Sequence, residues 1–196
     1  MAVYTQISKK DIFYINEIFN DEKFLSFKGI KQGIENTNYL LRSKNKKFIL
    51  TIFEKRVSNK EIPFFMKLMD CLNKSKINCP KPLKNKDGNY LIKLKNKTAC
   101  IVSFLEGKDK KKLDSHNCFE VGKIIARMHL VTKNIKLFRK NSLGIHNLGT
   151  LLKSIKFKSK KFSNLENFLI NNLKNIKKNW PIELPQGIIH GDLFID

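Results

Sequence analysis

Gly187-Ile188-Ile189-His190-Gly191-Asp192-Leu193-Phe194 is the stretch on which the fold turns. A short apolar run enters a tight glycine-containing turn, and the turn delivers one carboxylate, Asp192. Taken alone, a His-Gly-Asp tripeptide is as readily a surface turn as a site. What precedes it supplies the meaning. Upstream, Trp180-Pro181 and Pro185 close a helix that opens at a Ser163–Glu166 capping box. Leu165, Phe168, Leu169, Leu173 and Ile176 share its inward face. Asn141 to Gly149 reads as a loop. A second capping box, Asn117 with Glu120, opens a helix faced by Cys118, Val121, Ile125 and Met128. His129 falls on the inward edge of that helix as a core residue, and His116 and His146 read as structural.

Before Glu106-Gly107 the helical spacing gives way to strands. Thr98 to Phe104 is a strongly apolar strand, and Asp87-Gly88 a hairpin turn before a strand from Tyr90 to Leu94. Cys79-Pro80-Lys81-Pro82 forces extended backbone. Phe65, Leu68, Met69 and Leu72 predict a helix that starts either at a Ser58–Glu61 capping box or with Pro63 in its first turn. Three further strands span Leu25 to Ile30, Asn38 to Arg42 and Phe48 to Phe53. Lys31 to Asn36 is a loop containing Gly33. Ile12, Ile15, Ile18 and Phe19 mark a short amphipathic helix within residues 8–20. Strands followed by helices predict an α+β fold. The layout is protein-kinase-like and two-lobed: a β-rich N-lobe (residues 1–105), a short connection near Leu105 to Asp109, and an incomplete helical C-lobe (residues 106–196).

Composition narrows the function. The 196 residues carry 39 Lys and Arg against 17 Asp and Glu, a formal charge of +22, which invites a nucleic-acid partner. Yet Arg42, Arg56, Arg127 and Arg139 are the only arginines, and Arg is the residue that clamps phosphates and reads base edges. The lysines are scattered among Asn and Ile, as a solvated surface requires. No nucleic-acid partner is therefore expected. No apolar run approaches the ~18 residues of a membrane span, and none follows Met1 as a signal peptide. Cys71, Cys79, Cys100 and Cys118 form no zinc or redox spacing, so a reducing, cytoplasmic setting is expected.

The candidate chemistry is phosphoryl transfer, which needs an aligned hydroxyl, a carboxylate to take its proton and cations on the phosphates. Asp192 is the candidate catalytic carboxylate, with His190 bracing its loop. Gly29 and Gly33 in a strand–loop–strand context admit phosphates close to backbone N–H groups, with Asn36, Thr37 and Asn38 as further donors. An ordinary hairpin uses the same residues. The end of the Thr98–Phe104 strand, Ser103 to Leu105, would meet an adenine edge, although such a run is also simply a buried strand.

Taken together, several segments resemble the bacterial homoserine kinase family, relatives of aminoglycoside phosphotransferases and choline kinases. They are Met1 to Thr5, Leu25 to Ile30, Gly33 to Tyr39, Phe48 to Arg56, Pro63-Phe64-Phe65, Cys79 to Pro82, Ile101 to Gly107, Ala126 to His129 and Gly187 to Phe194. The resemblance covers essentially the whole chain. It implies ATP-dependent phosphorylation of the L-homoserine hydroxyl, a step of threonine biosynthesis, with ATP as co-substrate and Mg²⁺ as the metal. It also implies Asp192 as the catalytic Asp, Gly29 to Asn38 as the phosphate-covering hairpin and Ser103 to Leu105 as the hinge. Many relatives carry a cation where this strand has Thr51. Lys55, on the same strand face, is the candidate replacement, and Glu61 the candidate helix partner. The Mg²⁺-binding Asn and Asp of the family are expected beyond Asp196, so the 196 residues alone are expected to lack useful kinase activity and to leave apolar surface uncovered. The rival readings are another small-molecule kinase of the same fold, for choline or an aminoglycoside, a basic nucleic-acid module, or a non-catalytic kinase-like binder.

Overall fold

The alternation in Lys47-Phe48-Ile49-Leu50-Thr51-Ile52 makes this segment a strand with two different faces. In the computed structural model, which describes residues 3–33, 35–54, 58–108, 110–141, 144–155 and 163–195, both faces are used. Phe48, Leu50 and Ile52 are buried on one side, while Ile49 and Phe53 pack on the other. The segment is β3 (Lys47–Ile52), the centre of an antiparallel sheet with β1 (Ser26–Gly29), β2 (Thr37–Arg42), β4 (Leu91–Leu94) and β5 (Lys97–Ser103). The spatial order is β1-β2-β3-β5-β4.

Each face has its own helix. Helix α1 (Lys9–Ile18) turns Ile12 and Ile15 into a core with Phe19, Phe24, Leu41, Leu50, Ile52 and Ile101. Its start is a capping box, with the Ser8 N–H and Oγ–H both donating to Asp11 Oδ2 at 2.7 Å. Helix α2 (Ile62–Lys74) covers the opposite face through Ile62 and Met66, packed on Cys100 and Val102. Of the two expected starts for α2, the one with Pro63 in the first turn is realised, where a missing N–H costs nothing.

The strands expected from the sequence form within a residue or two of their expected ends. The turns differ more. The hairpin joining β4 and β5 is Lys95-Asn96, both with positive φ (50° and 61°), a two-residue turn matched to the sheet twist. Asp87-Gly88 is a turn but not a hairpin. It lies in a loop closed by the Asn85 N–H on the Asn89 carbonyl at 2.8 Å, between β4 and a segment that bridges Pro82 to Val102.

Two helical expectations are corrected. Helix α3 (Ser115–Thr132) is capped by Asp114, whose Oδ1 accepts from the Asn117 N–H at 2.7 Å, so Asn117 lies inside the first turn rather than at the cap. Residues Asn141 to Gly149 are not all loop: α4 (Ile145–Ser154) begins within them, with Ile145 buried. Helix α5 (Ser163–Lys178) starts with Ser163 already inside it and ends two residues before Trp180. The inward faces read from spacing are only partly buried. Ile125 and Met128 are half-buried, but Cys118, Val121 and His129 are exposed, as are Leu165, Phe168 and Ile176. Helical periodicity identifies a face but not whether anything covers it.

The chain divides into two compact units, Met1–Leu137 with Ile188–Asp196, and Phe138–Gly187. The first holds the sheet, α1 to α3 and the His190–Asp192 turn. The second holds α4 and α5. Among the described residues no helix is long and apolar enough to cross a membrane.

Candidate active site

Alternation along the strands assigns each candidate residue to a face. Asn38, Thr51 and Cys100 are aligned across β2, β3 and β5 on the α2 side. Thr51 Oγ–H donates to Asn38 Oδ1 at 2.8 Å. The strand position that carries a cation in the resembled family thus carries a hydroxyl–amide pair here, and among the described residues the Asn38 amide N–H groups remain for another acceptor. Burial pushes the neighbouring Cys100 thiol up to about 12, so it is an inert, neutral part of this floor. Lys55 lies outside the described residues.

The β1–β2 connection carries Gly33 at φ +94°, a conformation that L side chains rarely adopt, with nothing within 4 Å of where a Cβ would stand. Asn36 Oδ1 accepts from the Glu54 N–H at 3.3 Å, which ties the base of the loop to the end of β3. Gly29 lies on the α1 side, paired with Tyr39. Thr37 also turns to that side. Its fully buried side chain is engaged by other protein groups and offers no donor to a ligand.

The hinge segment is held at its start. The Ser103 N–H donates to the Lys81 carbonyl at 2.9 Å, and Ser103 Oγ accepts from the Lys81 N–H at 2.9 Å. The Phe104 N–H donates to the Lys47 carbonyl at 3.1 Å. Lys47 then reaches Glu106 at 2.6 Å and lies over the Phe104 ring. With those two amides taken, Leu105 is the first residue beyond the strand whose N–H is outside this pairing.

At the other end of the chain, Gly191 (φ +76°) makes the turn that brings the Asp192 N–H to His190 Nδ1 at 3.4 Å. Asp192 is exposed. Among the described residues, no hydrogen bond joins this turn to Asn38, Thr51, Ser103 or Leu105. The structure therefore assembles the candidates in three local groups: Asn38 with Thr51, Asn36 with Glu54, and His190 with Asp192. No cluster of three or more His, Cys, Asp or Glu side chains among the described residues is arranged to hold a metal ion. These residues alone do not fit the expected Mg²⁺, and no step is assigned to it.

One polar cluster was not foreseen. Glu54 Oε1 accepts from Thr5 Oγ and Thr37 Oγ, each at 2.7 Å, and Lys97 pairs with Oε2. Its members are 43 and 49 residues apart for Lys97 and Thr5, so no local pattern marks it. Burial opposes the Glu54 charge, but the hydrogen bonds from Lys97, Thr5 and Thr37 outweigh it and hold the carboxyl below its ordinary value of 4.5. A lowered folded-state pKa stabilises the fold above the unfolded value, and that stabilisation fades as pH falls through the folded one. The stability lost in Glu54→Gln is therefore expected to be constant above about pH 5 and to shrink below pH 4.5. Urea unfolding of both proteins from pH 7 to pH 3 checks this. A difference that grows on acidification would contradict it.

Comparison with known proteins shows the family and the fold. Residues 26–196 match the model of a phosphotransferase enzyme family. The whole chain is 36% identical over 197 residues to homoserine kinase of Parvibaculum lavamentivorans and 38% identical over 197 residues to that of Allorhizobium ampelinum. It spans 61% of the length of each relative. A crystal structure of spectinomycin phosphotransferase bound to AMP superposes with a TM-score of 0.64 at 14% identity, covering 97% of this chain and 65% of that one. At that identity the likeness is one of fold, and the expected α+β, protein-kinase-like architecture is borne out.

Proposed function

Since the chain belongs to the phosphotransferase enzyme family, we propose that it is the nucleotide-handling part of an ATP-dependent kinase acting on the side-chain hydroxyl of L-homoserine. The observation that carries the substrate is the 36–38% identity to homoserine kinases along the entire chain. The product would enter threonine biosynthesis, in the cytoplasm, without nucleic-acid or membrane partners. Residues 1–105 act as the ATP lobe and residues 106–196 as the start of the substrate lobe.

In this reading the β1–β2 hairpin, with Gly33, Asn36 and Asn38, covers the phosphates. Thr51 orients the Asn38 amide toward them through its 2.8 Å hydrogen bond. Lys55 is the candidate phosphate cation. Ser103 fixes the hinge through Lys81, and the Leu105 N–H is left to meet the adenine edge. Asp192 accepts the proton of the homoserine hydroxyl as its oxygen bonds to the γ-phosphorus. The bond from that phosphorus to the bridging oxygen breaks, and ADP leaves with the electron pair. His190 restrains the turn that presents Asp192.

A coupled ADP-release assay tests the substrate, with L-homoserine, choline and spectinomycin compared in the enzyme carried to the length of its relatives. Turnover is expected with L-homoserine. Turnover with choline or spectinomycin instead would replace the substrate while keeping the reaction. The 196 residues alone, which span 61% of the length of these relatives, are expected to show none in the same assay.

A further inference from the structure

Gly29 ends β1, and strand alternation puts its missing side chain on the α1 side, beside Tyr39. That is the face opposite Asn38 and Thr51. A Cβ built on Gly29 would stand 3.0 Å from Val3 Cγ2 and 3.5 Å from Tyr39 Cε1. The first distance is tighter than ordinary van der Waals contact, so a side chain at position 29 would push against the segment that leads into α1. Its direction is away from any ligand lying on the Thr51 face.

The same segment is bolted along the back of the hairpin. Thr37 Oγ accepts from the Tyr4 N–H at 2.9 Å and the Thr5 N–H at 3.1 Å. It donates in turn to Glu54, which also takes the Thr5 hydroxyl and the Lys97 ammonium. The Tyr39 hydroxyl donates to the Thr5 carbonyl at 2.9 Å and accepts from the Ile7 N–H at 3.2 Å. Thr37 and Tyr39 are the first and third residues of β2, directly after the loop. Thr37 is fully buried and Tyr39 nearly so. Neither can move without breaking buried hydrogen bonds.

We infer that the arm Val3–Ser8 is a back-support that sets the position of the Gly29–Asn38 hairpin, and that residue 29 is glycine to seat this arm. Gly29, Thr37 and Glu54 are then positioning residues that act on the phosphates through the hairpin. That last step rests on the kinase reading above. The support itself does not.

Two readouts separate the support from the kinase reading. One is hydrogen exchange at the Ile30 amide, which closes the β1–β2 ladder on the Asn38 carbonyl at 2.9 Å. The other is ADP binding by calorimetry. Both are measured on the chain as it stands, for Gly29→Ala, Val3→Ala and the double variant, with folding followed by circular dichroism. Gly29→Ala is expected to speed Ile30 exchange and weaken ADP binding about tenfold, the scale of a modest overpacking strain. Trimming Val3 to Ala in the same chain removes the colliding methyls and should restore both to within about twofold.

Failure of the double variant to recover ADP binding while Ile30 exchange does recover would mean that the glycine serves the ligand, and would overturn the inference for residue 29. Failure to recover either would overturn the seat. Absence of ADP binding in the parent chain counts against the nucleotide reading, and Ile30 exchange then decides the support alone. Thr37→Val removes the latch without adding bulk and should speed the same amide, so the question stays decidable if Gly29→Ala does not fold. Unchanged exchange in Thr37→Val would overturn the support.

Discussion

Asp192→Asn is expected to lower kcat for L-homoserine phosphorylation by about 10²- to 10⁴-fold, the contribution of a positioned general base, with KM for ATP little changed. Asparagine keeps the size of the side chain and can orient a hydroxyl by hydrogen bonding, but it cannot accept the proton. The loss should therefore fall on kcat rather than on nucleotide affinity. Asp192 is exposed on a turn made by Gly191, and its backbone N–H is in long contact with His190. Nothing in that setting makes it a folding residue, so the melting temperature should change little. The measurement is steady-state kinetics in the enzyme carried to the length of its relatives. A variant with more than about a tenth of the parent kcat would remove Asp192 from the reaction.

The largest stability loss is expected at Leu50. Leu50→Ala should destabilise the first compact unit by about 2–5 kcal/mol, read as a lower urea midpoint at unchanged slope. Leu50 is 0% exposed on the central strand, between Tyr39 and Ile101 in the ladder and in the core that α1 closes. Removing most of its side chain leaves a cavity that two flanking strands cannot collapse into without breaking their register. Thr51 is the next residue and faces the other way, so any loss of ADP binding should follow the unfolded fraction and disappear in conditions where the variant is folded. A loss below about 1 kcal/mol would mean that the core at this point is loosely packed.

These two residues also mark how far the sequence could be read. Asp192 stands out because an apolar run, a glycine turn and a carboxylate are contiguous. Leu50 stands out because its strand alternates. The α2 start required a choice between Ser58 and Pro63, and the first turn settled on the proline because an N–H is not needed there. Residues Ile145 to Gly149 read as loop because Gly144, Asn147 and Gly149 carry turn propensity, while the apolar face of α4 extends beyond them. Asn117 stands three residues before Glu120 and so carries the spacing of a cap, but Asp114 accepts from the Asn117 N–H and caps the helix instead.

The sequence by itself determined the order of strands and helices and the class of the fold, and it singled out Asp192 as the candidate carboxylate. Each of these is written within a window of ten or so residues, where hydrophobic periodicity and turn chemistry operate. Only the tertiary structure decided what the individual groups face. It turned Thr37 and Gly29 toward the arm and away from the proposed ligand. It paired Thr51 with Asn38 across two strands, and it joined Glu54 to Lys97 and Thr5 across 43 and 49 residues. Register and strand alternation settle such pairings, and a one-residue slip would reverse every one of them.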